Sequence, residues 1–356
     1  MQIKESQLAF WCVFNVLATV VAFPTIYADQ ELLPPPTLPA GVINSPPTLI
    51  GANESIGSNT TLNVFDGGYV GSSFVAGHFS GLSTDVEVNV SGGTMEGFTV
   101  YGGVVNVSGG SVGGLTCWNG CSASVSGGTV SGLGSNFSTI NIGDGASIGR
   151  ATFGQGSVAN ISGGIIGEIP SSAYSTLNIS GGVFSGAIDT EIVDYNISGG
   201  VFEGIVYAFL GSVDISGGVF GERFIATGNT MNIRGGEFTE GLSVHGSSGV
   251  SDSNVNIFGT EFFLDGVPLD LTSWLPTTIA ERDVLLSGIL ADGSPFEFNL
   301  VSTFTPPVGG SVIDEYFSPD AVLTLTLVPE PCASMLVSLL AIGGFLTAPR
   351  RTTSPS

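Results

Sequence analysis

The sequence predicts an all-β protein whose central part is a parallel β-helix solenoid of about eleven rungs, each about 18 residues long. A sequence motif typified by NISGGVFEG recurs. Clear copies begin at residues 89, 106, 124, 160, 178, 196 and 214, and weaker copies begin at residues 63, 141, 232 and 256. The second glycines of the pairs, from Gly93 to Gly236, follow one another at steps of 17 to 19 residues. A unit this short cannot bury a core of its own, so each copy must pack against its neighbours.

Each repeat is predicted to form strands and not helix. A pair of glycines in every repeat would break a helix, and the flanking residues are β-branched or aromatic. In the segment 177–180, alternation places Leu177 and Ile179 on one face and Asn178 and Ser180 on the other. The glycine pair that follows provides a corner, and the next two residues begin another face. Three short strands and three corners would complete a rung, and the rod would be about 50 Å long.

The composition favours such a solenoid and excludes two other classes. Only 10% of the 356 residues are charged, against roughly 25% in an average soluble protein. Glycine occupies 54 positions without the three-residue period of collagen, so a collagen helix is excluded. Hydrophobic residues make up 42% of the chain, which is too much core-forming material for a protein that is disordered throughout.

The charge balance disfavours nucleic acid and anionic membrane surfaces as partners. The stretch 29–328 contains 28 acidic residues and only four basic ones, and it contains no lysine. Nucleic-acid binding requires clustered cations that displace counterions from phosphates, and four scattered arginines do not provide them. We therefore expect no nucleic-acid partner, and contact with a membrane only through hydrophobic segments at the chain ends.

An asparagine stands four residues before the second glycine of seven repeats, and another begins the weak copy at residue 256; these side chains are predicted to stack as a ladder along the solenoid. Amides stacked at strand spacing hydrogen-bond to one another. Several begin N-x-S sequons, which we interpret as by-products of a ladder asparagine followed two residues later by serine. The predicted ladder consists of Asn89, Asn106, Asn141, Asn160, Asn178, Asn196, Asn232 and Asn256.

The chain is predicted to begin with a secretory signal peptide over residues 1–28. Lys4 precedes an apolar run from Leu8 to Phe23, and the run ends shortly before Asp29. The alternative is an uncleaved membrane anchor, because the run approaches the length that spans a bilayer. Either way, we expect a hydrophobic helix at this end and export of the remaining chain.

Three further segments follow from the limits of the repeat. Residues 29–58 are rich in proline and are predicted to form a linker and an N-terminal cap. Residues 59–265 are the repeat β-helix. Residues 266–327 are predicted to be a β-rich cap that shields the apolar end of the solenoid, with a hairpin around Asp292-Gly293 and a further strand over residues 322–327.

Residues 328–356 have the three parts of a sorting tail. A Pro-Glu-Pro motif precedes an apolar stretch from Cys332 to Ala348, and two arginines follow that stretch. The tail resembles the PEP-CTERM sorting signal of exported bacterial proteins, which implies recognition by a membrane protease of the exosortase type. It also implies a transmembrane helix, transient anchoring, and a final location in the cell envelope, on the cell surface or in the extracellular matrix. The alternative is a plain tail anchor; the motif residues are Pro329, Glu330, Pro331, Arg350 and Arg351.

Few residues in the repeat have the pattern of a chemical site. Cys117 and Cys121 enclose three residues and have two interpretations, a small disulfide loop or two free thiols. A zinc site is not expected, because the cysteines have no nearby histidine. His78 and His245 stand far apart along the solenoid, so they cannot act together, and each is expected on a loop. No cofactor is predicted; a structural calcium is the alternative, although the chain lacks the glycine and aspartate pattern of calcium-binding β-rolls.

At the level of fold, the repeat resembles pectin-lyase-like and autotransporter-like β-helices. This resemblance implies either a non-catalytic passenger or a polysaccharide lyase or hydrolase. Candidate catalytic acids would be Asp189, Glu191 and Asp194, with Glu168 and Glu203 on adjoining rungs, and the alternative is a set of solvated acids on loops. We expect a non-catalytic structural or adhesive protein of the cell surface or extracellular matrix. The alternative is a β-helix that binds or cleaves extracellular polysaccharide.

Overall fold

The computed structural model describes residues 36–80, 83–246, 252–303 and 315–329. The predicted signal peptide, and all of the predicted sorting tail except residues 328 and 329, lie outside the described residues. The prediction of an all-β parallel solenoid is confirmed: the described chain winds through about 11 turns. It contains no helix, and hence none with the length and apolar character needed to span a bilayer.

The described residues form 27 strands. In chain order they are β1 Gly41–Ser45, β2 Ser55–Ile56, β3 Thr60–Val64, β4 Tyr69–Val70, β5 Phe74–Ala76, β6 Val86–Val90, β7 Thr94–Met95, β8 Phe98–Tyr101, β9 Val104–Trp118, β10 Ser122–Asn136, β11 Thr139–Ile142, β12 Ala146–Phe153, β13 Val158–Ala173, β14 Thr176–Phe184, β15 Ile188–Glu191, β16 Asp194–Phe202, β17 Val206–Phe209, β18 Ser212–Phe220, β19 Phe224–Thr227, β20 Thr230–Phe238, β21 Leu242–His245, β22 Asn254–Leu264, β23 Val267–Pro268, β24 Thr277–Ile279, β25 Leu285–Leu290, β26 Pro295–Asn299 and β27 Val322–Leu327.

Within the repeat, the strands stack in parallel, each on the equivalent strand of the previous rung. Asn160 is in register with Asn178, and Asn178 with Asn196, so identical positions of the repeat form straight columns along the rod. A second parallel stack contains β15, β17, β19 and β21. The 18-residue period therefore becomes a spacing of one strand, about 4.8 Å.

Aromatic and branched side chains fill the interior of the solenoid. The rings of Phe184, Phe202, Phe220 and Phe238 form a continuous stack, with centroid distances of 4.8, 4.7 and 4.8 Å. Phe202, in the middle of the stack, is 1% exposed. Phe298 of the cap then packs edge-on against Phe238 at 5.3 Å, so the stack joins the repeat to its cap.

The glycine pair is required at the corner for two separate reasons. A Cβ on Gly181 would lie 2.3 Å from the carbonyl oxygen of Ser162 in the previous rung, so the two backbones could not approach as closely as they do. Gly182 has a φ of 93°, which L-residues with a side chain rarely adopt. The two glycines together turn the strand from one face to the next.

The two ends of the rod are built differently. Strand β1 pairs in parallel with β3, so the ladder of strands starts at Gly41, within the segment expected as linker and cap. At the other end, β27 adds a parallel strand to β22, and β25 and β26 form an antiparallel hairpin. The carboxylate of Asp292, in the turn of that hairpin, accepts a hydrogen bond from the Gly236 backbone N–H at 3.0 Å. The cap is thereby tied to the last glycine corner.

Candidate functional site

Asparagine amides form a hydrogen-bonded ladder on one outer face of the rod. The amide nitrogen of Asn178 donates to Oδ1 of Asn160 at 2.8 Å, and Asn196 donates in the same way to Asn178 at 2.8 Å. Each bond points toward the N-terminal end of the rod. The remaining bonds of this kind join Asn63 to Asn44, Asn89 to Asn63, Asn106 to Asn89, Asn160 to Asn141 and Asn256 to Asn232, at 2.9 to 3.0 Å.

The ladder column contains a serine and an aspartate at two of its rungs. Ser124 is in register with Asn106, and Asp214 is in register with Asn196. Asp214 accepts from the Asn232 amide at 2.7 Å, but a carboxylate has no N–H to donate to Asn196. The described ladder therefore consists of three hydrogen-bonded segments, separated at residues 124 and 214.

A column of serines runs beside the ladder, two residues further along each strand. The hydroxyl of Ser162 donates to the carbonyl oxygen of Ile142 at 3.2 Å, and that of Ser216 donates to Ile197 at 3.4 Å. Ser180 and Ser198 make the equivalent bonds at 3.5 Å. Each hydroxyl donates its hydrogen to a carbonyl oxygen of the rung below, so its acceptor lone pairs remain available to the solvent.

The two columns enclose a groove of about 650 Å³ that runs along the rod, which we call the ladder groove. It extends from the rung of Ser124 to the rung of Arg234. At the Arg234 end, the guanidinium lies over the ring of Phe258 at 4.3 Å and contacts Asp214 Oδ1 at 3.4 Å. The residues that line the ladder groove are Ser124, Val125, Ser126, Asn141, Ile142, Gly143, Asn160, Ile161, Ser162, Asn178, Ile179, Ser180, Asn196, Ile197, Ser198, Asp214, Ile215, Ser216 and Arg234.

Cys117 and Cys121 form a disulfide at a corner of the rod. Both side chains are buried, because Cys117 occupies an inward position in register with Val100 below and Ser135 above. The bond closes the turn that carries Trp118 and Asn119. The side-chain amide of Asn119 donates to the carbonyl oxygen of Phe79 at 2.8 Å, so a hydrogen bond to a distant part of the chain also stabilises the turn.

The structure keeps the two histidines apart. Nδ1 of His78 lies 2.6 Å from the Ser80 hydroxyl in a turn after β5. His245 ends strand β21 and is not on a loop, because its strand pairs with β19 up to this residue. Burial lowers the pKa of the His245 imidazole, whose ring lies 4.9 Å from that of Tyr316. The two histidines therefore have different partners and do not form a common site.

The candidate acids are not stacked on one another. Asp189 and Glu191 lie on the same outward face of β15, but in the next rung their register partners are Tyr207 and Phe209. Asp194 accepts hydrogen bonds from the backbone N–H and hydroxyl of Ser212, and Glu168 pairs with Arg150 at 3.7 Å. Within the described ranges, no three His, Cys, Asp or Glu side chains are grouped to hold a metal ion.

The sorting motif can be located only at its first residue. Pro329 is the last described residue, and it follows β27 by two positions. The other motif residues, Glu330, Pro331, Arg350 and Arg351, lie outside the described residues.

Sequence reasoning missed four groups that complete the ladder and its groove. Asn44 and Asn63 extend the ladder by two rungs, but neither precedes a glycine pair at the usual distance. Asp214 continues the column with a carboxylate, and Arg234 replaces the serine of the second column. Counting positions within each copy of the repeat would have placed Asp214 and Arg234 in the two columns, whereas Asn44 precedes the first recognisable copy.

A scan of protein-family models, curated proteins and solved structures yields no match to this chain. The ladder and its groove are therefore the features on which a function rests.

Proposed function

We propose that this chain is an exported, non-catalytic structural or adhesive protein of the cell surface or extracellular matrix, in which the rigid rod is the working part. The observation that carries the proposal is the regularity of the repeat. Columns of asparagine, serine and phenylalanine run from rung to rung with hydrogen bonds of 2.8 to 3.0 Å between most ladder amides. A surface kept this uniform over many rungs suits an extended contact and not a single reaction centre.

The composition of the tail gives the proposal its location. The Pro-Glu-Pro motif, the apolar stretch and the two arginines resemble a PEP-CTERM signal, and we assign to them processing by an exosortase-type protease. The excess of acidic over basic residues in the stretch 29–328 supports solubility of the exposed rod outside the cell.

A second candidate function is binding or cleavage of polysaccharide, and the ladder groove is the observation that favours it. The groove is long and open, and asparagine and serine side chains line it together with isoleucine residues. Cleavage would in addition require a pair of acids on one face, for which Asp189 and Glu191 are the candidates.

One experiment separates these functions. A strain that lacks the chain is complemented with the full chain, or with the full chain carrying Asp189→Asn, Glu191→Gln and Asp194→Asn. The proposal predicts that a protease added to intact cells digests the rod, and that both forms restore cell adhesion or matrix cohesion equally. A rod found only inside the cell contradicts the proposal, and failure of the acid variant alone favours catalysis.

A further inference from the structure

We infer that the ladder groove binds a linear polysaccharide of uncharged sugars, laid along the rod. The inference deepens the proposed function and rests on it, because such a polymer is what an adhesive rod on a cell surface would hold. It assigns a site and a chemical class of ligand, and both follow from the groups that the groove presents.

The hydrogen-bonding groups of the groove suit hydroxyl-rich ligands. Asn178 uses one N–H toward Asn160 and one oxygen lone pair toward Asn196, so one N–H and one lone pair remain for a ligand. Ser180 uses its hydrogen on Ile161 and keeps its lone pairs. A rung with this asparagine–serine pair therefore offers one donor and several acceptors, and sugar hydroxyls can satisfy both.

The repetition of these groups selects a polymer. The asparagine–serine pair returns at three consecutive rungs, those of Asn160, Asn178 and Asn196, and the ladder column of the groove covers six rungs from Ser124 to Asp214. Five strand spacings correspond to about 24 Å, which is long enough for several sugar units in a row. A polymer with a repeating unit can make the same contact many times, and the affinity then accumulates along the groove.

The backbone argues against an extended peptide as the ligand. The strands that line the groove pair with the rungs on both sides; Ile179, for example, lies between Ile161 and Ile197 in register. No open sheet edge is available in the groove for a peptide to extend the sheet.

The charge of the groove argues against acidic sugars. Asp214 lies inside the groove, and the one lining cation, Arg234, is engaged with that carboxylate and with the Phe258 ring. The rod around the groove carries a large excess of acids over bases. A polymer of uronic acids would be repelled, whereas neutral sugars are not.

Two serines of one rung provide a matched test. Ser180 points into the groove and Ser185 points out of the next face, and each is an exposed serine whose hydroxyl contacts a carbonyl of the previous rung, at 3.5 and 3.4 Å. The full chain, purified in detergent, is tested against immobilised mixed-linkage β-glucan, arabinoxylan and dextran, with polygalacturonate and alginate as acidic counterparts. Ser180→Ile, and separately Ser198→Ile, should weaken binding to a neutral polysaccharide by about tenfold or more, because the added side chain fills the groove. Ser185→Ile should bind as the parent does.

The outcomes decide between the inference and its rivals. Binding to a neutral polysaccharide that is lost in Ser180→Ile and Ser198→Ile but kept in Ser185→Ile supports the groove. Binding to none of the neutral polymers, binding only to the acidic ones, or equal loss in all three variants overturns it. Circular dichroism of each variant identifies misfolding. A chain on the cell surface that binds no glycan leaves the proposed function standing, and a chain confined to the cell interior contradicts the proposed function itself.

Discussion

The amide nitrogen of Asn232 donates a hydrogen bond to Oδ1 of Asp214 at 2.7 Å, so a carboxylate ends one segment of an asparagine ladder. Asp214 accepts from the rung above but has nothing to donate to Asn196 in the rung below. Two acceptors therefore face each other at this step of the rod, whereas the neighbouring steps pair a donor with an acceptor.

Replacing Asp214 with asparagine should join the two ladder segments. The new amide would keep the bond from Asn232 and add one to Asn196, which is worth about 1 kcal/mol. The ion pair between residue 214 and Arg234 would be lost. Both of its side chains are about half exposed, so the loss should cost less than about 1 kcal/mol. Chemical denaturation should therefore show Asp214→Asn to be as stable as the parent or more stable. Asp214→Ala, which removes the acceptor, should be less stable, and the opposite order would contradict this account of the ladder.

Replacing Phe202 with aspartate should prevent folding of the repeat. Phe202 lies within the ring stack between Phe184 and Phe220, and a buried unpaired charge costs several kcal/mol. The control is Val201→Asp, one position away, because Val201 is 39% exposed and points outward. That change should alter the free energy of unfolding by less than about 1 kcal/mol. Equal melting curves for the two variants would mean that the inward and outward assignments are wrong.

Removing the disulfide should destabilise the rod by about 2 kcal/mol, the entropy of closing so short a loop in the unfolded chain. Cys117→Ala with Cys121→Ala is the suitable variant, since both positions are buried and serine would add unpaired hydroxyls. Thermal unfolding of this variant and of the oxidised parent measures the difference. A double variant as stable as the oxidised parent would show that the bond contributes nothing to the folded state.

Acidification should weaken the cap end of the rod through His245. Burial lowers the pKa of its imidazole, so the folded state binds fewer protons than the unfolded state. The free energy of unfolding should therefore fall as the pH drops below about 6.5, toward the lower pKa of the folded protein. His245→Gln should flatten the pH dependence between about pH 7.5 and pH 5.5. A slope that persists in His245→Gln assigns the effect to other groups.

The tail prediction concerns processing. Replacing Pro329, Glu330 and Pro331 with alanine leaves the apolar stretch and the arginines intact, so membrane insertion should be preserved. If the motif is a protease recognition site, the altered protein should keep its tail and remain in the envelope, while the parent loses it. Mass spectrometry of the C-terminal peptide distinguishes the two. A mature parent that ends at Ser356 would contradict the sorting interpretation.

The sequence predicts the repeat well because one constraint acts at every rung. The close backbone approach at Gly181 and the positive φ at Gly182 exclude other residues, so the glycine pair marks each corner and sets the register of the strands. The alternation around Ile179 then separates inward from outward side chains. Those local rules are sufficient to place an asparagine column without coordinates.

The groove and the ends of the rod depend on contacts between different rungs, and the sequence of a single repeat does not specify those contacts. The depth of the ladder groove results from the distance between the asparagine and serine columns, and that distance depends on how all rungs stack. The first rung, with Asn44, lies in a proline-containing stretch that reads locally as a linker. Arg234 contacts Asp214 of the previous rung and Phe258 of the following segment, which no single repeat specifies.

The register of the repeats makes the length of the rod a variable that evolution can change in whole units. If residues 178–195 were deleted, Leu177 would be followed by Asn196, and the phrase LNISGGVF would be restored across the junction. The asparagine, serine and phenylalanine columns would close again without a misfit, because the rungs on either side present the same groups. Unequal recombination between repeats can therefore shorten or lengthen the rod by one strand spacing at a time, while its surface chemistry stays the same.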